Sequence, residues 1–220
     1  MDNLLIGENY MKKSTQLMLE EFLGRYPMLK KMKENIVFAT EMLVNCVQSG
    51  NKVLVCGNGG SAADAQHIVG ELMKGFVKKR NNKSEKRERL SAAYPEISEV
   101  LQEAVPAVSL VGEAALISAF ANDNSFDFGF AQGVYGLGQK DDVFIAISTS
   151  GNSKNVVLAA KTAEALGLKI IGLTGRGGGE LKDLANILFD APGKSTYEIQ
   201  EYHLPIYHVI CLMTENELFD

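Results

Sequence analysis

Two short stretches of this 220-residue chain concentrate side chains able to do chemistry. In VLVCGNGGSAADAQHIVGE (53–71), an apolar run leads into glycines and then into a helical pattern that carries His67 and Glu71. Four residues apart, these two share one helix face. That spacing suits a pair of metal ligands or a paired acid and base, and it also occurs in ordinary surface His–Glu pairs. In ISTSGNSKN (147–155), Ser148, Thr149, Ser150 and Ser153 crowd hydroxyl groups onto a second strand-to-helix junction. The chain has three histidines, and the other two, His203 and His208, lie near its end.

Both junctions suit a phosphate. At Asn58, Gly59 and Gly60, with a helix beginning at about Ser61, small residues let backbone N–H groups converge on an anion at a helix N-terminus. The hydroxyls of the second junction suit a phosphomonoester, whose oxygens accept several hydrogen bonds. No GK[ST] follows either turn, and GxGxxG is incomplete in CGNGGSAAD. A phosphorylated sugar or similar small anion is therefore favoured over a nucleotide.

The elements that must position these turns can be read from five apolar runs: VLVCG (53–57), AVSLV (107–111), VFIAIS (143–148), KIIGLT (169–174) and ILFDA (187–191). They are rich in β-branched residues and lack strict polar alternation, as in strands covered on both faces. Helical patterns over 61–76, 153–166 and 179–185 alternate with them, which predicts an α/β fold with a parallel sheet flanked by helices. Two helices, 8–24 and 28–49, precede the sheet around Pro27, and one more, 196–218, follows it. Gly177–Gly179 reads as a tight turn after the fourth strand, Cys56 as a buried apolar group and His203 as a structural or supporting residue. The basic run 78–92 reads as a solvated loop or helix face, and 95–105 as a helix packed on the main body.

Composition narrows the function classes. Hydrophobic residues make up 46% and charged residues 22% of the chain, average for a globular protein. A net charge of −5 argues against nucleic acid or an anionic membrane as the main partner. No apolar run approaches the roughly 20 residues of a membrane span, and the N-terminus lacks the order of a signal peptide. Cys46, Cys56 and Cys211 show no paired spacing, so neither a disulfide framework nor a cysteine-rich metal site is expected. The expected compartment is the cytoplasm.

The stretches GNGGSAADAQHIVGE, FANDNSFD, ISTSGNSKNV, IGLTGRGGGEL and IQEYHLPIYH resemble the phosphoheptose isomerases of the sugar isomerase (SIS) superfamily, in that family's order. The resemblance spans nearly the whole chain outside roughly 78–105. It implies a single SIS domain over 1–220, a three-layer fold with a five-stranded parallel sheet, and a homotetramer with active sites at subunit interfaces. It further implies conversion of sedoheptulose 7-phosphate to a glycero-manno-heptose 7-phosphate for surface-glycan biosynthesis. Substrate contacts then fall on Asn58, Gly59, Gly60, Ser61, Asn122, Asp123, Ser148, Thr149, Ser150, Ser153 and Gln200. Zinc ligands fall on His67, Glu71, Gln200 and His208, and the proton-transfer pair on Glu71 and His208. Aldose–ketose isomerisation needs such a pair, one group removing a proton beside the carbonyl and one protonating its oxygen, through an ene-diolate.

Three features depart from the family pattern. Segment 78–105 is long, Glu198 stands where a basic residue commonly precedes IQE, and Pro205 should kink the last helix between Gln200 and His208. Two rival readings accompany the isomerase. One is a non-catalytic SIS tetramer that binds a replication initiator, a relative that lacks the Glu and the second His retained here. The other is an isomerase of a different phosphosugar.

Overall fold

The computed structural model describes residues 11–80 and 84–219. Five strands, β1 (Val53–Gly57), β2 (Ala107–Ser109), β3 (Val143–Ile147), β4 (Lys169–Gly175) and β5 (Ile187–Ala191), form one parallel sheet in the order β2-β1-β3-β4-β5. Every residue of β1 and β3 is buried, which is why these runs show no polar alternation.

Successive side chains of each strand face opposite layers. Val53, Val55, Ile145 and Ile171 pack with Leu29, Ile36, Leu43, Ile68, Ile206 and Ile210 in the core on one side of the sheet. Helices α1 (Lys13–Arg25), α2 (Lys33–Gln48), α3 (Gly60–Met73) and α9 (Thr196–Leu218) supply that layer. Leu54, Cys56, Phe144, Ala146 and Ile170 meet Phe130, Val134, Val156 and Ala160 on the other side. There α7 (Gly129–Leu137) and α8 (Lys154–Ala165) form the cover. The expected three-layer α/β arrangement is present, and among the described residues no helix is long and apolar enough to cross a membrane.

Several expected elements differ from those observed. The first helix begins at Lys13, and the part of its expected span at 8–10 lies outside the described residues. The second opens as a 3-10 turn, Pro27–Met32, before α2 begins. Segment 179–185 is a 3-10 turn over Gly179–Asp183, because Gly177, Gly178 and Gly179 all adopt positive φ (84°, 72° and 55°). The expected helix at 95–105 is one short turn, α5 (Pro95–Ser98), which follows α4 (Glu85–Ala93). Beyond it Val100 and Leu101 face solvent, 76% and 52% exposed, while Val105 is buried in the core, so the segment packs on the body at its end and not along a helix face. Hydrogen bonds from Glu103 N to Arg80 O (2.9 Å) and from Val105 N to Leu72 O (3.0 Å) draw the chain out of helix there and lead it into β2. The basic run is solvated along α4 but not throughout, since Arg80 is buried; residues 81–83 lie outside the described residues.

Helix α6 (Ala114–Asp123) fully buries none of its residues; Ile117, Phe120 and Ala121 form its half-buried face, with Ile117 against the core. Helix α9 keeps helical conformation across the buried Pro205, over the expected 196–218. His203 is buried in it, with Nε2 3.1 Å from the Thr174 carbonyl oxygen, which ties α9 to β4. Glu198 caps the same helix: its carboxylate accepts from the backbone N–H groups of Lys194 (2.7 Å) and Ser195 (2.9 Å), which hold its pKa down.

Phe144 is fully buried at the centre of the sheet, where a truncation leaves a cavity that rigid strands close poorly. Phe144→Ala is expected to lower unfolding free energy by about 3–5 kcal/mol, read from denaturant midpoints at constant slope.

Candidate active site

Gly57 and Ile147 are register partners, so the turns that follow β1 and β3 leave the carboxyl edge side by side. The strand order reverses at this point, with β2 beyond one side of β1 and β3 on the other; ligands of open α/β sheets bind in that crevice. Two asparagine side chains join the turns. Asn58 Nδ2 donates to Asn155 Oδ1 (2.8 Å), and Asn155 Nδ2 donates to Asn58 Oδ1 (2.9 Å). Gly59 adopts φ 55°, ψ −121°, a conformation open to glycine, and starts α3 with its free N–H groups toward the crevice edge.

The serine turn is organised by its own hydroxyls. Ser148 Oγ donates to Ser153 Oγ (2.9 Å), and Asn152 N donates to Ser150 Oγ (3.1 Å). Gly151 has φ 68°, and a Cβ there would stand 1.9 Å from the Gly178 carbonyl oxygen. The triple glycine turn is therefore the seat of the serine turn, as Leu181 N to Gly151 O (3.1 Å) and Glu180 N to Asn152 Oδ1 (2.9 Å) also show. Beside the two turns lies a pocket of about 210 Å³, whose walls include Asn58, Gly59, Asn155, Ile117, Phe126 and Phe130.

The titratable groups stand along α3 and α9. His67 Nε2 lies 3.1 Å from Glu71 Oε1, and Lys74 Nζ lies 2.8 Å from Glu71 Oε2. The His208 ring stands edge-on to His67 (centroids 5.0 Å apart) and to Tyr207 (5.0 Å). Burial, followed by the neighbouring His67, lowers the His208 pKa against the opposing pull of Glu71, so its imidazole is uncharged at neutral pH. The Tyr207 hydroxyl donates to Asp64 Oδ1 (3.2 Å) and lies 2.9 Å from His67 Nδ1. Burial raises the pKa values of both Asp64 and Tyr207.

This hydrogen-bond order bears on cation binding. Tyr207 has one proton; when Asp64 receives it, Nδ1 of His67 must be the donor to the tyrosine oxygen. Nε2 then faces the Glu71 carboxylate as a second acceptor, and only a further proton or a cation reconciles the two. The Nε2 of His208 is buried without a hydrogen-bond partner. Two imidazole nitrogens and a carboxylate form a donor set that fits zinc. Among the described residues no three His, Cys, Asp or Glu stand together as a ready-made metal cage. The His67–Glu71 contact would have to open around an ion. Gln200 approaches from α9, with its amide nitrogen 2.6 Å from where a Cβ on Gly60 would stand, so that position accepts only glycine without rearrangement.

Within one chain, Asn58, Gly59, Gly60, Ser61, Ser148, Thr149, Ser150 and Ser153 occupy the paired turns, and His67, Glu71 and His208 form the titratable cluster. Asn122 and Asp123 hydrogen-bond each other (2.9 Å) at the exposed end of α6. Four participants are not singled out by the sequence: Asn155, Asp64, Lys74 and Tyr207. Asn155 sits inside the quoted ISTSGNSKN motif, and Tyr207 adjoins His208, so position beside a motif was their only signal.

Comparison with known proteins agrees with this geometry. Residues 24–175 match the family model described as the SIS domain. The phosphoheptose isomerase of Aliarcobacter butzleri is 38% identical over 204 residues, covering 91% of this chain and 96% of that protein. That of Helicobacter pylori is 36% identical, covering 89% and 92%. Among solved structures, a phosphoheptose isomerase from Neisseria gonorrhoeae superposes with a TM-score of 0.70 at 31% identity, covering 92% of this chain and 97% of that one. One from Francisella tularensis gives 0.71 at 32% identity, covering 92% and 93%.

Gly151→Ala forces a side chain into a left-handed backbone and against the Gly178 carbonyl. It is expected to cost more than about 1 kcal/mol of stability and to weaken phosphomonoester binding about tenfold, or 1.4 kcal/mol, read by thermal unfolding and calorimetric titration. Gly70→Ala, where the added methyl meets open space on α3, should instead stabilise by about 0.5–1 kcal/mol.

Proposed function

The chain belongs to the SIS domain family and is an aldose–ketose phosphosugar isomerase, and from that premise we propose that it converts sedoheptulose 7-phosphate to D-glycero-D-manno-heptose 7-phosphate. The observation that carries this reading is the joining of two phosphate-type turns, locked by the Asn58–Asn155 pair, to a carboxylate and an uncharged imidazole on α3 and α9. In this proposal the turns hold the phosphate and orient the carbonyl end of the sugar toward the titratable cluster. Glu71, paired with Lys74, removes the proton beside the carbonyl, and the uncharged His208 takes the proton of the neighbouring hydroxyl and passes it to the carbonyl oxygen. The ene-diolate collapses to the isomer when the roles reverse. His67, Glu71, Gln200 and His208 are the residues that would hold zinc, and a zinc ion there would polarise the carbonyl. Tyr207 and Asp64 keep His67 turned toward Glu71.

Assembly as a homotetramer belongs to the same proposal. The exposed apolar side chains Leu116, Phe126, Phe128, Tyr135 and Leu137 cluster around α6 and α7, an area suited to burial between subunits. Asn122 and Asp123 would then face a neighbouring copy. We assign the protein to the cytoplasm, where its buried free cysteines would remain thiols.

The decisive experiment measures turnover of sedoheptulose 7-phosphate beside zinc content. Glu71→Gln keeps size and removes charge, so it should abolish isomerisation and weaken zinc while phosphosugar binding persists. His208→Asn should do likewise. Near-normal turnover in either variant, or none in the zinc-supplied wild type, overturns the reading. Light scattering should report about four times the 23.9 kDa chain mass, and a concentration-independent monomer would contradict the assembly.

A further inference from the structure

Helix α3 ends at Met73 without a glycine cap, and its last carbonyl groups need donors. Arg80 provides them from within the segment that follows. Its guanidinium is buried, with Nη1 donating to Leu72 O (2.6 Å) and Nη2 to Glu71 O (2.9 Å). Its Nε meets Glu215 Oε1 on α9 at 2.8 Å. Glu215 is also buried, and its carboxylate accepts from the backbone N–H groups of Phe76 (2.7 Å), Val77 (2.9 Å) and Lys78 (3.1 Å). The Phe219 ring lies under the guanidinium, 4.8 Å away. The hydrogen bonds of the pair are thus directed at the end of α3, at the chain leaving it, or at α9.

The two helices joined in this way are those that carry Glu71 and His208. Glu71 contributes one of the carbonyl groups held by Arg80. Glu215 follows His208 by seven residues, close to two turns, which places both on one face of α9 about 10 Å apart along the axis. We infer that Arg80 and Glu215 are positioning residues of the isomerisation, a clamp that sets where the Glu71 carboxylate stands relative to His208. A buried ion pair contributes little net stability over a well-packed apolar replacement. Here it supplies directional contacts that fix both helix axes. This inference rests on the isomerase reading above.

The test uses Arg80→Lys, which keeps the charge and loses the fork of donors, and Glu215→Gln, which keeps the shape and loses the charge. Both are assayed well below their unfolding temperatures. The expected result is a fall in kcat of about tenfold to a hundredfold with KM changed less than about twofold, because the phosphate turns on β1 and β3 make no contact with the clamp. Histidine-selective NMR supplies a second readout that does not depend on turnover. The resonances of His67 and His208 should shift, while those of His203, held by the Thr174 carbonyl, should stay in place. Unmoved His67 and His208 resonances, or an equal fall in kcat and population of folded protein, would overturn the clamp. Failure of the wild type to isomerise the sugar phosphate would overturn the function instead, and the NMR comparison would still decide the clamp. Should Arg80→Lys not fold, Glu215→Gln carries the same comparison.

Discussion

The level alignment of β1 and β3 is the constraint on which the rest of the site depends. Parallel pairing sets Gly57 beside Ile147, and a shift of one residue along either strand would turn every buried side chain to the opposite layer. Since Val53 and Val55 belong to one core and Leu54 and Cys56 to the other, such a slip is blocked by both layers at once. The reciprocal Asn58–Asn155 bonds are possible only in this register. A site made from these two turns therefore inherits its precision from hydrophobic packing on both faces of the sheet.

Helix α3 transmits that precision to the chemistry. Its first turn is pressed against β1, where a Cβ on Gly57 would stand 2.5 Å from Ser61 O. Its middle and last turns carry His67 and Glu71. At one end it is fixed by strand contact, and at the other by Arg80. A rigid helix of 14 residues held at both ends keeps a fixed distance between the glycine turn at its N-terminus and the Glu71 carboxylate near its C-terminus.

The sheet was largely legible in the sequence because fully buried parallel strands are continuous β-branched runs, and β5 and α9 have their expected bounds. The His67–Glu71 pair and both turns were also legible, because they are local patterns. What remained hidden is non-local. Asp64, Tyr207 and Asn155 acquire their roles from partners 97 to 143 residues away in the chain. Arg80 lies in a run whose charge predicts solvent, and its burial follows from Glu215, 135 residues on. Glu198 was a departure from a family pattern until its contacts made it a helix cap. Helix α6 leaves most of its apolar residues outside the core of the chain, with only Ile117, Phe120 and Ala121 half-buried.

The three histidines show how environment, not residue type, divides the labour. His203 is fully buried and spends Nε2 on a backbone carbonyl; burial lowers its pKa and leaves it a neutral strut between α9 and β4. His67 has a partner at each ring nitrogen, Tyr207 at Nδ1 and Glu71 at Nε2, so its orientation is fixed. His208 has a buried Nε2 with no partner, as has His203 at Nδ1, but at His208 three aromatic rings hold the plane beside His67 and Tyr207. A buried, oriented and unsatisfied ring nitrogen costs free energy in the resting protein. That cost is recovered when a ligand supplies the missing contact, so the same feature that weakens the empty site favours the occupied one.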